Sequence, residues 1–241
     1  MDTLKLNCEN KPLMVAHRGC SGLERENTNA AFVAAGNRSY WGIETDVHVT
    51  ADGKFIIIHD DDTARVAGDR LIVEESSFDT LRRLTLLNKF SEKKDRVDLC
   101  LPSLEEYIAI CKKYEKVAVL ELKNRMTEEA VNAIIDVIGD MDYLDHTTFI
   151  SFSYTNMVSV RKRLPEASAQ YLVSEFGDDL IDKLKAYHLD LDIRHTALTA
   201  ERVALCHENG IKVNTWTVDD PARAAELAAF GVDIITTNIV E

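Results

Sequence analysis

Two histidines, His17 and His59, each close an apolar run: Met14-Val-Ala-His17-Arg18-Gly19 and Ile56-Ile-Ile-His59-Asp60. Such a pair suits acid–base work near neutral pH, one imidazole taking a proton and the other giving it. Between them stands Glu44-Thr-Asp46-Val-His48, and later Glu121-Leu-Lys123. Residues two apart share a face of a strand, so Glu44 and Asp46 point together, as do Glu121 and Lys123. Any one of these acids alone reads as half of an ion pair with Arg18 or Lys123. Three converging carboxylates repel each other strongly in a poorly solvated pocket. A hard divalent cation with oxygen ligands, Mg2+ or Ca2+, resolves that repulsion and leaves sites for water and a phosphate. Arg18, with its bidentate fork, and Lys123, as a point charge, are the candidate phosphate clamps. Together these residues read as a metal-dependent phosphodiesterase.

The elements that must position them follow from periodicity. Short β-branched runs alternate with amphipathic stretches: strands at 13–17, 42–50, 117–122, 148–152, 169–173, 189–193, 212–218 and 232–237, with helices between them. Asp52-Gly53 is a two-residue hairpin signal leading into an antiparallel strand at 55–59. Ser103 and Glu106 have capping-box spacing, Gly210 sits at a helix end, and Pro221 at a helix start. Residues 77–87 read as a helix within a weaker stretch, 61–102, expected to leave the barrel and cover one mouth. Eight strand–helix alternations within 241 residues predict a closed (β/α)8 TIM barrel, a single domain over 1–241. Active sites of such barrels lie at the carboxyl ends of the strands, where the ionisable residues cluster. The later strands offer Ser151, Ser153, Ser174, Arg194, His195, Trp216 and Asn238 at those ends. Trp216 alone would read as a core aromatic; at a mouth it can pack against an alcohol moiety. His48 shares parity with the acids and is expected at the mouth, His195 is open to either reading, and His146, His188 and His207 read as surface.

A formal charge of −13 argues against nucleic acid or an anionic membrane as the main partner, while leaving room for a small anion in a local positive site. Five cysteines with no C-x-x-C pair read as free thiols of a reducing compartment, Cys20 included as a bystander. Neither a signal peptide nor an apolar run near the roughly 18 residues of a membrane span is visible, so the expected address is cytoplasmic, without stable membrane insertion. Oligomeric state is not legible.

The ordered set His17-Arg18-Gly19, Glu26-Asn27-Thr28, Glu44-x-Asp46, Asp52-Gly53, His59-Asp60, Leu101-Pro102-Ser103-Leu104-Glu105-Glu106, Glu121-Leu122-Lys123, Ser151-Phe152-Ser153 and Trp216-Thr217-Val218 resembles the glycerophosphodiester phosphodiesterase family. The resemblance spans nearly the whole chain. It implies a (β/α)8 barrel that hydrolyses glycerophosphodiesters to sn-glycerol 3-phosphate and an alcohol with Mg2+ or Ca2+. It further implies His17 and His59 as the acid–base pair, Glu44, Asp46 and Glu121 as metal ligands, Arg18 and Lys123 as phosphate contacts, and Trp216 as pocket wall. The implied chemistry is attack of the glycerol 2-hydroxyl on phosphorus, expulsion of the alcohol, and opening of the cyclic phosphate by water. Departures are Arg25 in place of a proline, Tyr154 in place of a short polar residue, and Asn238 in place of an aspartate. Two competing readings are a phospholipase D-like enzyme of the same barrel group acting on lysophospholipids or sphingolipids, and a non-catalytic barrel that binds phosphorylated ligands. The first would want an apolar rim and disulfides; the second predicts loss of an acid–base or metal group, and all five are present.

Overall fold

A computed structural model describes residues 2–241. Nine strands form one sheet: β1 (Leu13–Ala16), β2 (Gly42–Val49), β3 (Phe55–Ile57), β4 (Val117–Leu122), β5 (Thr147–Ser151), β6 (Ser168–Val173), β7 (Asp190–Arg194), β8 (Val213–Trp216) and β9 (Ile234–Thr237). Their order is β1-β9-β8-β7-β6-β5-β4-β2-β3, and a further β1–β2 pairing closes the ring. Every pairing in that ring is parallel; β3 alone is antiparallel, hung on the end of β2. The expected eight-stranded barrel with one extra hairpin strand is therefore what the chain forms. The hairpin differs in detail. Thr50 N–H bonds the Lys54 carbonyl at 2.9 Å, so the turn is the three residues Ala51-Asp52-Gly53 rather than two, with Gly53 at φ +73° supplying the left-handed step.

Nine helices are α1 (Asn29–Gly36), α2 (Ala64–Ala67), α3 (Phe78–Arg82), α4 (Leu104–Lys113), α5 (Glu128–Asp140), α6 (Tyr154–Arg163), α7 (Leu180–Ala186), α8 (Ala200–Glu208) and α9 (Pro221–Ala229), counted among the described residues. Thr28, Ser103, Thr127, Ser153 and Thr199 each accept a backbone N–H at the start of the helix they precede, a cap that contributes about 1 kcal/mol. Ser103 and Glu106 form both arms of the expected capping box. Ser153 is thus a helix cap, and Ser151 donates to the Leu122 carbonyl (2.6 Å), so neither serine is free for chemistry. The helix expected over 77–87 shrinks to Phe78–Arg82, and six residues after it the chain turns at Asn88–Lys93, whose backbone groups bond each other.

The helices bury their apolar faces on the outside of the barrel, where Phe32, Tyr107, Ile134, Met157, Val203 and Leu227 are sealed from solvent. Each such side chain contributes roughly 1.5–3 kcal/mol. A smaller apolar layer, Val15, Val119, Ile150, Leu172 and Ile234, fills the barrel interior. The excursion at 61–102 carries its own core of Val66, Val73, Leu81, Leu86 and Leu99 packed on Ile56 and Ile58. It docks on the loop that follows β1, where Arg25 donates to the Leu87 carbonyl (2.6 Å) and Arg96 pairs with Glu24 (2.6 Å).

Candidate active site

At the end of β1 the chain turns sharply through Arg18 (φ 54°) and Gly19 (φ 75°). A side chain at Gly19 would meet Ala31 at 2.7 Å, so only glycine lets α1 pack this closely. The turn aims the Arg18 backbone N–H at Glu44 Oε2 (2.7 Å) and its guanidinium at Glu26 (2.8 Å) and Asp46 (3.6 Å). The register sets Asp46 beside Glu121 across β2 and β4. Glu44, Asp46 and Glu121 each present a carboxylate oxygen within 4.8 Å of the others, and all three are buried.

Electrostatics separate these acids. Burial favours the neutral form of Asp46, yet Lys123 at 3.4 Å, Arg18, His59 and the Asn27 amide (2.8 Å) outweigh it and hold the carboxyl well below its usual range. Glu44 is pushed well above the ordinary value by burial and by Asp46, and Glu121 is pushed up to about 7 for the same two reasons. Asp46 Oδ1 is buried without a hydrogen-bond donor. That oxygen, held only by the Lys123 charge at 3.4 Å, together with the neighbouring Glu44 and Glu121 carboxyls is a donor set that fits a hard divalent cation.

The two imidazoles flank this cluster. His17 Nδ1 bonds Asn238 Oδ1 (2.8 Å), and its Nε2 lies 4.0 Å from Glu44. Burial and the neighbouring Arg18 lower its pKa to about 4, so it is neutral at pH 7. His59 Nδ1 bonds Asp60 (2.7 Å), whose carboxylate Arg65 grips from the other side at 2.7 and 3.1 Å. Burial lowers the His59 pKa as well, while Asp60 and Asp46 oppose the shift. His17, Arg18, Glu44, His59 and Glu121 share one cavity of about 90 Å3 with Ile150, Phe152, Leu172, Asp192 and Trp216.

The family model for the glycerophosphoryl diester phosphodiesterase family matches residues 17–241. The chain belongs to that family. It is a phosphoric diester hydrolase. It is 27% identical to a glycerophosphodiester phosphodiesterase of Caldanaerobacter subterraneus, over 95% of this chain and 94% of the relative. Among solved structures it resembles an Oleispira antarctica phosphodiesterase in complex with sn-glycerol 3-phosphate (27% identity, TM-score 0.85, covering 95% and 93% of the two chains). It also resembles a glycerophosphodiester phosphodiesterase of Parabacteroides distasonis (28% identity, TM-score 0.81, covering 96% and 94%).

All eight expected site residues meet at this mouth. Lys123 reaches Glu121 (2.9 Å) and Asp46, and Trp216 forms the wall, edge-on to Phe152 (5.6 Å between ring centres) with Arg194 over its face (5.7 Å). His48 is a correction. Its parity is right, but it is fully buried outside the cavity, bonding Glu74 (3.1 Å) and the His59 carbonyl (3.5 Å), and so buttresses His59. His195 lies against Arg223, and Cys20 is buried beside the Tyr40 hydroxyl (3.9 Å). A larger cavity of about 790 Å3 opens at the opposite mouth among Lys11, His146 and Lys212, remote from every one of these groups. Size alone does not choose the site.

Asp192, Arg65 and the roles of Asp60 and Asn238 escaped the sequence reading. The alternation Asp190-Leu-Asp192-Ile-Arg194 was the available signal for the first, because a polar residue at alternate positions of a barrel strand points inward. Arg65 lies in a weakly patterned segment and gave none.

Proposed function

We propose that this chain hydrolyses glycerophosphodiesters to sn-glycerol 3-phosphate and the free alcohol, with two histidines as acid–base pair and a divalent cation on Glu44, Asp46 and Glu121. One observation carries the reading: His17, His59, Arg18, Glu44 and Glu121 line a single small cavity, and Asp46 and Lys123 stand against Glu121 beside it. The product bound in the Oleispira relative supports the substrate class. Glu44, Asp46 and Glu121 would hold Mg2+ or Ca2+, which would supply positive charge where negative charge builds on the phosphoryl group.

The chain's own groups do the rest. Arg18 and Lys123 now neutralise carboxylates and lie within reach of a phosphate between them. Asn238 accepts from His17 Nδ1–H, so the neutral ring turns its Nε2 lone pair to the cavity, and it takes the proton of the glycerol 2-hydroxyl as that oxygen attacks phosphorus. His59, backed by ionised Asp60, is the ring better suited to carry charge, and it protonates the departing alcohol oxygen. The cyclic phosphate is then opened by water with the two roles reversed. Phe152 and Trp216 pack against the alcohol at the rim.

Turnover of glycerophosphocholine and glycerophosphoethanolamine, coupled to detection of glycerol 3-phosphate with and without chelator, tests this reading. Release of glycerol 3-phosphate that stops on chelation and in His17→Ala and His59→Ala is expected. Activity surviving full chelation removes the metal role, and glycerol with phosphocholine or phosphoethanolamine as the products removes the assignment.

A further inference from the structure

Asp192 on β7 is 2% exposed and lines the catalytic cavity, and its Oδ1 has no hydrogen-bond partner. Its neighbours by register explain why. On one side stands Leu172, which has nothing to offer; on the other stands Asn214, already committed to Gln170 (2.9 Å) and Thr236 (3.2 Å). Burying an unpaired carboxyl is unfavourable, and a leucine like that on β6 would have filled the position at no such penalty. A polar group left unsatisfied inside a catalytic cavity is explained by a partner that arrives with the substrate.

The chemistry of a carboxyl narrows that partner. It repels a phosphate, and the phosphate-binding cations Arg18 and Lys123 belong to the β1 and β4 ends. A hydroxyl suits it in either protonation state, since a carboxylate accepts and a carboxylic acid both donates and accepts. The substrate of the reading above is a diester of glycerol, a three-carbon polyol, and a cavity of about 90 Å3 admits only small groups to Asp192. The secondary hydroxyl of that polyol is engaged in attack on phosphorus, which leaves the terminal one.

We propose that Asp192 is a specificity-determining residue that hydrogen-bonds the terminal hydroxyl of the substrate's glycerol unit. The assignment rests on the glycerophosphodiesterase reading above. It explains how a shallow catalytic barrel would tell a glycerol diester from a diester of another small diol.

The test compares kcat/KM for glycerophosphocholine with that for propane-1,2-diol phosphocholine, which keeps the attacking 2-hydroxyl and lacks the terminal one. A site built to bond a hydroxyl discriminates against its absence, so wild-type enzyme is expected to prefer the glycerol substrate by at least about tenfold. In Asp192→Leu that ratio is expected to fall to within about threefold of unity, while Asp192→Asn, which retains an acceptor, keeps an intermediate ratio. The melting temperature of Asp192→Leu should equal or exceed that of wild type, as for removal of an unsatisfied buried polar group. Equal kcat/KM for the two diesters in wild type overturns the inference without recourse to any variant. So does a preserved ratio in Asp192→Leu, whether or not its melting temperature falls. Wild-type enzyme that turns over neither diester overturns the hydrolytic reading itself, which is a separate result.

Discussion

Asn238 Oδ1 accepts a hydrogen bond from His17 Nδ1 at 2.8 Å, while its own Nδ2 donates to Asp219 (2.6 Å). The carboxylate partner fixes which end of the amide faces the histidine, and the amide oxygen in turn fixes the imidazole tautomer. Asn238 is a neutral group, and in the proposed mechanism it orients the base. Asn238→Ala should lower kcat about 10–100-fold, with KM changed much less, because the ring loses its orientation and the substrate contacts stay. The exchange Asn238→Asp with Asp219→Asn keeps the hydrogen bond and moves the charge onto His17. A carboxylate partner favours imidazolium and raises the His17 pKa from its depressed value near 4. A base is inactive below its pKa, so the acid limb of kcat/KM should move to higher pH. An unmoved limb would remove His17 as the base.

Glu26, Arg65 and Asp60 make a second prediction. Arg65 bonds both oxygens of Glu26 (2.8 Å each) and both of Asp60, and Arg18 adds a third contact to Glu26. Burial pushes both carboxyls upward, but these bonds prevail and hold each at about 2. Their folded pKa values lie below the unfolded ones, so the stability they contribute is present above about pH 4.5 and is lost as pH falls towards 2. Acid unfolding followed by circular dichroism should therefore steepen over that window, and Arg65→Ala should shift its midpoint to higher pH. The same variant should lower kcat, since Asp60 loses the clamp that holds it against His59.

How much of this was legible can be read from particular residues. The barrel was, because Val117–Leu122 and its counterparts are apolar on both faces, a pattern that only a doubly covered parallel strand requires. Glu44, Asp46 and Glu121 were legible because acids have no packing use in such strands. Asp192 interrupts its strand in the same way and was passed over, since it sits one step deeper than the strand end. The hairpin turn and the helix at 77–87 were misjudged by local chemistry: a bulged three-residue turn and a short helix both depend on tertiary contacts with Asp52 and Leu99. Parity put His48 on the right face of β2, but not its depth under Glu74.

The acidic triad predicts a pH-dependent response to metal. Glu121, raised to about 7 by burial and then by Asp46, holds its proton in the metal-free protein below that pH. Its folded pKa exceeds the unfolded one, so metal-free stability should decline as pH rises through about 7. Divalent ions bind the deprotonated carboxylates and should reverse the trend, raising the melting temperature with concentration and more strongly at pH 8 than at pH 6. Differential scanning calorimetry with Mg2+, Ca2+ and chelator measures this directly. Equal shifts at the two pH values would count against Glu121 as a ligand, and Glu121→Gln should abolish most of the difference.

Gly19 offers a test of how the fold presents the site. It occupies φ +75°, where a side chain is strained, and a Cβ there would lie 2.7 Å from both the Ala31 backbone and its Cβ. Neither neighbour can yield readily, because Ala31 is fully buried on α1, which Thr28 caps. Strain of about 1 kcal/mol from the left-handed backbone and about 1–3 kcal/mol from overpacking add together. Gly19→Ala should therefore destabilise the protein by about 2–4 kcal/mol, a melting-temperature loss on the order of 10 °C for a domain of this size. Activity should fall further than stability does, since the same turn points the Arg18 N–H at Glu44 (2.7 Å) and sets the guanidinium beside Asp46. Assayed well below its melting temperature, a variant with lowered stability and wild-type kcat/KM would show that the Arg18 turn is scaffolding alone, without a part in holding the acids in place.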